Sequence, residues 1–374
     1  MARLRVLFSY LQPTSFVRDD LALLRERYDV RTHEFGVDVA QGAAGKAAAL
    51  ARGMARLAAW TRREAPEADL LYGWFADYHF LPFLRQRRRG LPLALAMGGY
   101  DAMALPDLGY GVFASRWRAP LARHVLRGAD LLLPVSGSLV SSRDTFARAP
   151  EAERQGVAVH VPGLETRCAV VPTGYDPEAW PLGSMERAPS VLSVATVDSF
   201  TTFRRKGLDL LIETARALPD VPFRIVGMRL PEGAVRERYR PPENVTFVPR
   251  VPRESLSAEY GRASVYLQLS RAEGMPNVLC EAMLCGCVPV ASRVFGNPDA
   301  VGEAGWVVER AAPEAIAETV REALDAPPAL RRAARAHIAG TFPRERRRRE
   351  LFGLLDALMA GERPGVPARD WPLA

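Results

Sequence analysis

Short apolar runs alternate along the chain with longer segments whose apolar positions recur at three- and four-residue steps. That alternation is the pattern of βαβ units built on parallel sheets. In the first half the runs predict strands at Arg5–Tyr10, Val30–Phe35, Leu70–Trp74, Pro92–Met97, Leu131–Val135 and Ala169–Pro172. Helical periodicity lies between them, for example over Ala43–Arg63 and Trp117–Arg127. The second half starts again at Ser190–Ala195 and predicts strands at Phe223–Val226, Thr246–Val248, Val265–Leu269, Val288–Ala291 and Trp306–Val308. Between the halves, the stretch from Gly174 to Pro189 carries Pro177, Pro181, Gly183 and Pro189 and reads as a linker. The halves echo each other: ADLLLPVS ends at Ser136 and ASVYLQLS at Ser270. Two doubly wound α/β domains are therefore expected, with ligand sites beyond the carboxyl ends of their strands.

Composition agrees with two ordinary cores. The chain has 374 residues, 48% hydrophobic and 25% charged, which excludes a disordered protein. Its 50 basic and 43 acidic residues give 50 − 43 = +7, a balance that favours anionic partners. No apolar run approaches the ~18 residues of a spanning helix. The apolar run in MARLRVLFSYL is broken by Arg5 and reads as a buried strand, not a signal peptide. A cytoplasmic protein is expected, with contact at the inner face of the cell membrane left open. The cysteines are Cys168, Cys280, Cys285 and Cys287, too few for a disulfide scaffold. The last three do not have the spacing of a zinc knuckle and no His lies near them, so buried cysteines and no metal site are expected.

The most informative segment runs from Leu267 to Ser292, LQLSRAEGMPNVLCEAMLCGCVPVAS. A buried strand ends near Ser270, a loop with Gly274, Met275 and Pro276 follows, and a helix begins near Asn277 and Val278. This arrangement aims free backbone N–H groups and a positive dipole end outward, which suits a phosphate. Glu273 precedes the helix and Glu281 lies about one turn inside it. Carboxylates beside phosphates are unfavourable unless they accept hydrogen bonds from hydroxyls. A sugar nucleotide supplies such hydroxyls on both sides of its diphosphate.

Ser270, Glu273, Gly274, Pro276, Glu281, Ala282, Gly286 and Pro289 together resemble the Glu-x7-Glu signature of family 4 retaining GT-B glycosyltransferases. VVPTGYDPEAW, Val170 to Trp180, resembles the segment closing that family's N-terminal domain, with Thr173 for the usual Asn and Tyr175 for the usual Val. The stretch SVATVDSFTTFRRKGLDLLIETARAL resembles its diphosphate-gripping strand, loop and helix, with Lys206 and Gly207 matching. The family's Arg after the first strand is absent, since Ala195 and Thr196 stand there, and Arg204 or Arg205 is the candidate substitute.

The resemblance implies the GT-B architecture, two Rossmann-like domains facing across a cleft. An N-terminal acceptor domain would span residues 1–180 and a linker 181–189. A donor domain would span 190–341, with the last helix, 342–361, packing back onto the first domain. It implies a glycosyltransferase that moves a sugar, with retention, from a nucleoside diphosphate sugar to a glycan or lipid-linked acceptor, needing no cofactor. Lys206, Glu273 and Asp101 are the expected catalytic residues. Glu281, Arg204, Arg205, Gly274, Met275, Pro276, Asn277 and Val278 are the expected donor-binding residues. Asp101 belongs to MGGYD, Met97 to Asp101, where Gly98 replaces a frequent His of the family; a plain turn explains Gly98-Gly99 equally well. Rival readings are a GT-B sugar-nucleotide 2-epimerase and a non-catalytic sugar-nucleotide binder.

Two further features stand apart from the motif. Thr14 or Ser15 is expected to cap the first helix. Basic clusters occur at Arg85 and Arg87–Arg89, and at Arg344 with Arg346–Arg349. The second cluster opens an amphipathic helix with Thr341 as expected N-cap and Pro343 in its first turn. No nucleic-acid-binding pattern accompanies them, so solvated faces or an anionic membrane surface are the two readings and nucleic acid is not an expected partner.

Overall fold

The structure, a computed structural model, describes residues 3–36, 42–87, 89–144, 146 and 153–372. Arg88 of the first basic cluster lies outside them. By internal contacts the chain divides into two units. The first comprises Met1–Ser142, Gln155–Pro172 and Arg348–Ala374; the second comprises Arg143–Arg154 and Thr173–Arg347.

The first unit is built on a seven-stranded sheet. From one edge, its order is Val366–Pro367, Arg167–Cys168, Leu131–Pro134, Leu93–Met97, Leu70–Trp74, Arg5–Tyr10 and Asp29–Glu34. All pairings are parallel except that of Val366–Pro367 with Arg167–Cys168. The strands Leu70–Trp74, Leu93–Met97 and Leu131–Pro134 are buried throughout, as expected of strands covered on both faces. The run expected as a strand at Ala169–Pro172 lies just beyond Arg167–Cys168. Its Ala169 and Val171 N–H groups still donate to Leu132 and Pro134 carbonyls, at 3.0 Å each, and proline at 134 and 172 ends the ladder.

Residues Arg348–Ala374 count with this first unit. Tyr28 donates to Asp356 Oδ1 at 2.8 Å, and the Tyr28 and Phe352 rings meet edge to face with centroids 5.7 Å apart. Arg348 pairs with Glu26 at 2.8 Å.

The second unit holds a six-stranded, wholly parallel sheet. Its order is Val245–Pro249, Phe223–Met228, Val191–Val197, Val265–Gln268, Val288–Ser292 and Trp306–Val308. The strand order reverses between Val191–Val197 and Val265–Gln268, and a ligand crevice is expected beyond the carboxyl ends of those two strands. The stretch expected as a linker is fastened here: Gly183 N–H donates to Cys285 O at 3.1 Å, and Arg187 Nη2 to the same oxygen at 2.6 Å.

Two capping expectations are corrected. Thr341 is the last residue of the helix Pro328–Thr341, not the N-cap of the next; that helix spans Arg344–Met359 and Pro343 breaks the ladder between them. Thr14 occupies the N-cap of the helix Ser15–Arg27, but its hydroxyl is buried without a partner and makes no cap bond.

Candidate active site

The switch point of the second sheet carries the expected cluster. Beyond Val191–Val197, the helix Phe200–Arg205 is capped by Ser199, whose hydroxyl accepts from Thr202 N–H. Lys206 follows as its C-cap and Gly207 turns the chain with φ +66°. A Cβ on Gly207 would stand 1.9 Å from Leu269 O, so only glycine allows this loop to approach the end of the neighbouring strand. That approach brings Lys206 Nζ to 2.5 Å from Glu273 Oε1.

Glu273 is held from a second side. Gln268 Nε2 donates to Glu273 Oε1 at 2.9 Å and to Ser270 Oγ at 2.7 Å. Ser292 Oγ donates to Ser270 O at 2.7 Å, and Asn297 Nδ2 to Ser292 Oγ at 3.0 Å. The polar network thus runs across two adjacent strands and is buried apart from its Lys206–Glu273 end. Burial works to raise the Glu273 pKa, but the Lys206 and Arg205 cations and hydrogen bonds from Lys206 and Ser270 outweigh it, so the carboxyl sits below its usual range. Burial lowers the Lys206 pKa, opposed by Glu273 and reinforced by Arg205. The Arg205 charge acts on both members of the pair.

The helix Asn277–Leu284 follows the loop Gly274–Pro276, in which all three residues are buried. Its first-turn N–H groups have no carbonyl inside the helix to bond, apart from those that reach Pro276 O. Asn277 is fixed through Tyr175, whose hydroxyl donates to Asn277 Oδ1 at 2.7 Å and lies 2.8 Å from Thr173 Oγ1. The two departures from the family segment, Thr173 and Tyr175, therefore act together on the first residue of this helix. At its other end, Arg187 bonds Cys285 O and Arg335 bonds Leu284 O. Cations at the negative end complement the helix dipole.

Glu281 is 3% exposed. Its Oε1 accepts from Arg253 Nη2 at 2.9 Å and its Oε2 from the Tyr260 hydroxyl at 3.2 Å. Arg253 also lies 5.4 Å over the Trp180 ring. Neither Arg253 nor Tyr260 stands at a spacing from Glu281 that sequence patterns reveal. Gln268 was equally hidden, although a polar residue interrupting the apolar run VYLQL was a usable signal.

Asp101 sits differently from the expectation. It belongs to the first unit and is fully buried, where it accepts from Ala76 N–H and Gly99 N–H, both at 3.0 Å. Burial pushes its carboxyl up to about 6 despite those donors. Its carboxylate organises the turn after Leu93–Met97 and presents no surface to a substrate. A Cβ at Gly98 would lie 2.5 Å from the Phe75 ring, so a His where the family often has one would require that ring to move.

The four cysteines are free and buried, and burial lifts Cys280 to about 12 and Cys287 to about 11. Among the described residues no three His, Cys, Asp or Glu side chains are grouped to hold a metal, and no helix is long and apolar enough to cross a membrane. Three arginines of the last helix meet the protein itself, while Arg344 and Arg349 are exposed. Arg347 is 4% exposed, Arg346 Nη1 donates to Thr341 O at 2.8 Å, and Arg348 pairs with Glu26.

Two doubly wound α/β sheets, the second wholly parallel and the first parallel but for one edge strand, define the GT-B architecture. A sucrose-phosphate synthase from Thermosynechococcus elongatus has the same fold, with a TM-score of 0.74 at 18% identity over 96% of this chain and 100% of the other. So does Anabaena HepE, solved in complex with UDP-glucose, at 0.69 and 15% over 95% and 100%. Residues 191–339 match the family model described as glycosyl transferases group 1. A D-inositol 3-phosphate glycosyltransferase from Segniliparus rotundus is 30% identical over 252 residues, 62% of this chain and 56% of the relative. A GDP-mannose-dependent alpha-(1-6)-phosphatidylinositol monomannoside mannosyltransferase from Mycolicibacterium smegmatis is 35% identical over 153 residues, 36% and 39% of the two chains. The chain thus spans about half the length of the curated relatives it matches, or less.

Proposed function

We propose that the chain is a retaining glycosyltransferase that moves a sugar from a nucleoside diphosphate sugar to a glycan or lipid-linked acceptor. The observation that carries the reading is the Lys206–Glu273 pair, set before the helix that bears Glu281. Cleavage of a glycosyl–phosphate bond leaves negative charge on the diphosphate and positive character on the sugar. Lys206, Arg205 and the N–H groups at Asn277 and Val278 would stabilise the first. Glu273 would leave Lys206 as the diphosphate arrives, accept hydrogen bonds from sugar hydroxyls and lie beside the positive anomeric carbon. Glu281, oriented by Arg253 and Tyr260, would accept from the ribose diol. The departing phosphate oxygen takes the acceptor's proton on the face from which it leaves, so the new bond forms there and configuration is retained. HepE with its UDP-glucose and the mannosyltransferase named for GDP-mannose make those two donors the first to try. The inositol phosphate acceptor of the first relative joins glycans and lipid-linked sugars as a candidate acceptor.

The test is to supply UDP-α-glucose and GDP-α-mannose with acceptor panels, to measure nucleoside diphosphate release, and to read the product's anomeric proton by NMR. An α-linked product whose formation depends on Lys206 supports the reading. A β-linked product would contradict retention, and release that persists in Lys206→Ala would contradict the assigned site.

A further inference from the structure

The first unit has its own switch point, between the strands Arg5–Tyr10 and Leu70–Trp74. Directly beyond the second of these, Phe75 adopts φ +66°, a left-handed conformation unusual for a bulky side chain. The chain then turns through Asp77, which is completely buried, and Tyr78. Asp77 binds Arg118 through two guanidinium nitrogens, with Nε at 2.9 Å from Oδ2. Arg118 is thereby fixed among three rings: its guanidinium carbon lies 5.3 Å from the Tyr78 centroid, 4.9 Å from Tyr100 and 5.8 Å from Trp117. The Tyr78 and Trp117 rings are themselves 5.3 Å apart. Trp117 is 55% exposed, the most exposed of the large apolar side chains among the described residues.

We propose that Trp117, with Tyr78, Tyr100 and the Asp77-anchored Arg118, is a stacking platform for an uncharged pyranose ring of the acceptor. Three observations converge on this. The cluster stands beyond the carboxyl ends of Leu70–Trp74 and Leu93–Met97, where open α/β sheets bind ligands. An exposed tryptophan face carries negative π density, and a pyranose presents an apolar face of C–H groups that complements it. The Arg118 charge is already neutralised by Asp77, and Arg118 Nη1 makes no hydrogen bond to the described residues, so the group is equipped to donate to a hydroxyl rather than to capture an anion. Aromatic side chains with a few fixed polar groups are the usual lining of small-molecule sites. The assignment of the ring to an acceptor rests on the glycosyltransferase reading.

Saturation-transfer NMR on the full chain tests the platform without donor. The probes are methyl α-D-glucopyranoside, methyl α-D-mannopyranoside and methyl α-D-galactopyranoside, with myo-inositol 1-phosphate as the anionic polyol. At least one methyl glycoside should bind, with transfer strongest to its ring C–H protons. Trp117→Ala should weaken it at least tenfold, while Trp117→Phe, which keeps an aromatic face, should stay within a few-fold of the original protein. Binding of UDP and GDP, measured on the same samples, should not change in either variant. The proposal is overturned if no glycoside binds, if Trp117→Ala binds as well as Trp117→Phe, or if only the phosphorylated inositol binds. Nucleotide binding without glycoside binding would overturn the platform and leave the enzyme reading standing. Trp117-dependent glycoside binding without nucleotide binding would do the reverse.

Discussion

Lys206 and Glu273 are 67 residues apart in the chain and 2.5 Å apart in space. Lys206 follows the short helix after one of the two strands at which the second sheet reverses its order, and Glu273 lies in the loop after the other. Their pairing is the resting form of a site whose two charges have separate tasks in the proposed reaction. Removing the cation should cost turnover more than folding. Lys206→Ala is expected to lower kcat about 100- to 1000-fold, the range for loss of one group that stabilises developing charge. Because the pair is mostly buried, stability should fall as well, by about 1–3 kcal/mol for the carboxylate left with fewer partners. Steady-state kinetics beside urea denaturation separates the two effects, and a variant with normal kcat would return the charge role to Arg205.

Glu281 should matter to nucleotides even when no sugar is attached. Glu281→Ala is expected to weaken binding of a free nucleoside diphosphate about tenfold or more, in line with the loss of hydrogen bonds to a charged acceptor. It also strips the buried Tyr260 hydroxyl of its acceptor. Arg253 is half exposed, so Arg253→Ala should change stability by at most about 1 kcal/mol while loosening the orientation of Glu281. Calorimetric titration with UDP and GDP reads both variants.

Gly207→Ala should fail structurally. A positive φ and a Cβ 1.9 Å from a backbone oxygen leave no room for relief by side-chain rotation. The expected loss is about 2 kcal/mol or more, with Lys206 displaced from Glu273. A thermal midpoint equal to that of the original protein would contradict this.

Two buried groups give stability a pH dependence of opposite sign. His79 is fully buried, and burial drives its pKa down to about 3. Between that value and the unfolded pKa of about 6.5 the unfolded chain holds the extra proton, so stability is lost as pH falls, by about 1.4 kcal/mol per pH unit. Asp101, raised to about 6, holds its proton in the folded state while the unfolded chain has released it, so between about 3.8 and 6 its contribution is lost as pH rises. The two slopes oppose each other between about pH 4 and 6. Denaturation over that range should show stability falling with rising pH in His79→Leu and rising more steeply than the original in Asp101→Asn. Parallel profiles in all three proteins would refute the assignment.

Much of this architecture was legible in the chain. Leu70–Trp74 coincides with the apolar run that announced it, because strands buried on both faces need unbroken apolar sequence. The loop before the helix Asn277–Leu284 was legible because glycine, proline and two glutamates at fixed spacing leave few alternatives. Arg253, Tyr260 and Gln268 were not, since long-range partners of a carboxylate carry no local period. Val366–Pro367 was missed because two residues give no alternation, and Thr341 was misplaced because a residue suited to start a helix can also end one. Asp101 was placed in a substrate site by resemblance. Packing decided otherwise, since the Phe75 ring fills the space beside Gly98 and the carboxylate turns to backbone donors.

The central claim is that a nucleoside diphosphate sugar is held by Lys206, Glu273 and Glu281. Its most direct test is a thermal-shift titration of the original protein, Lys206→Ala and Glu281→Ala with UDP, GDP, UDP-glucose and GDP-mannose. At 100 times Kd a ligand of the folded state adds about 2.7 kcal/mol, a shift easily resolved. The account predicts stabilisation of the original protein by at least one nucleotide and its nucleotide sugar, with the response to that nucleotide strongly reduced in both variants. No response to any of the four ligands, or equal responses in all three proteins, would contradict it.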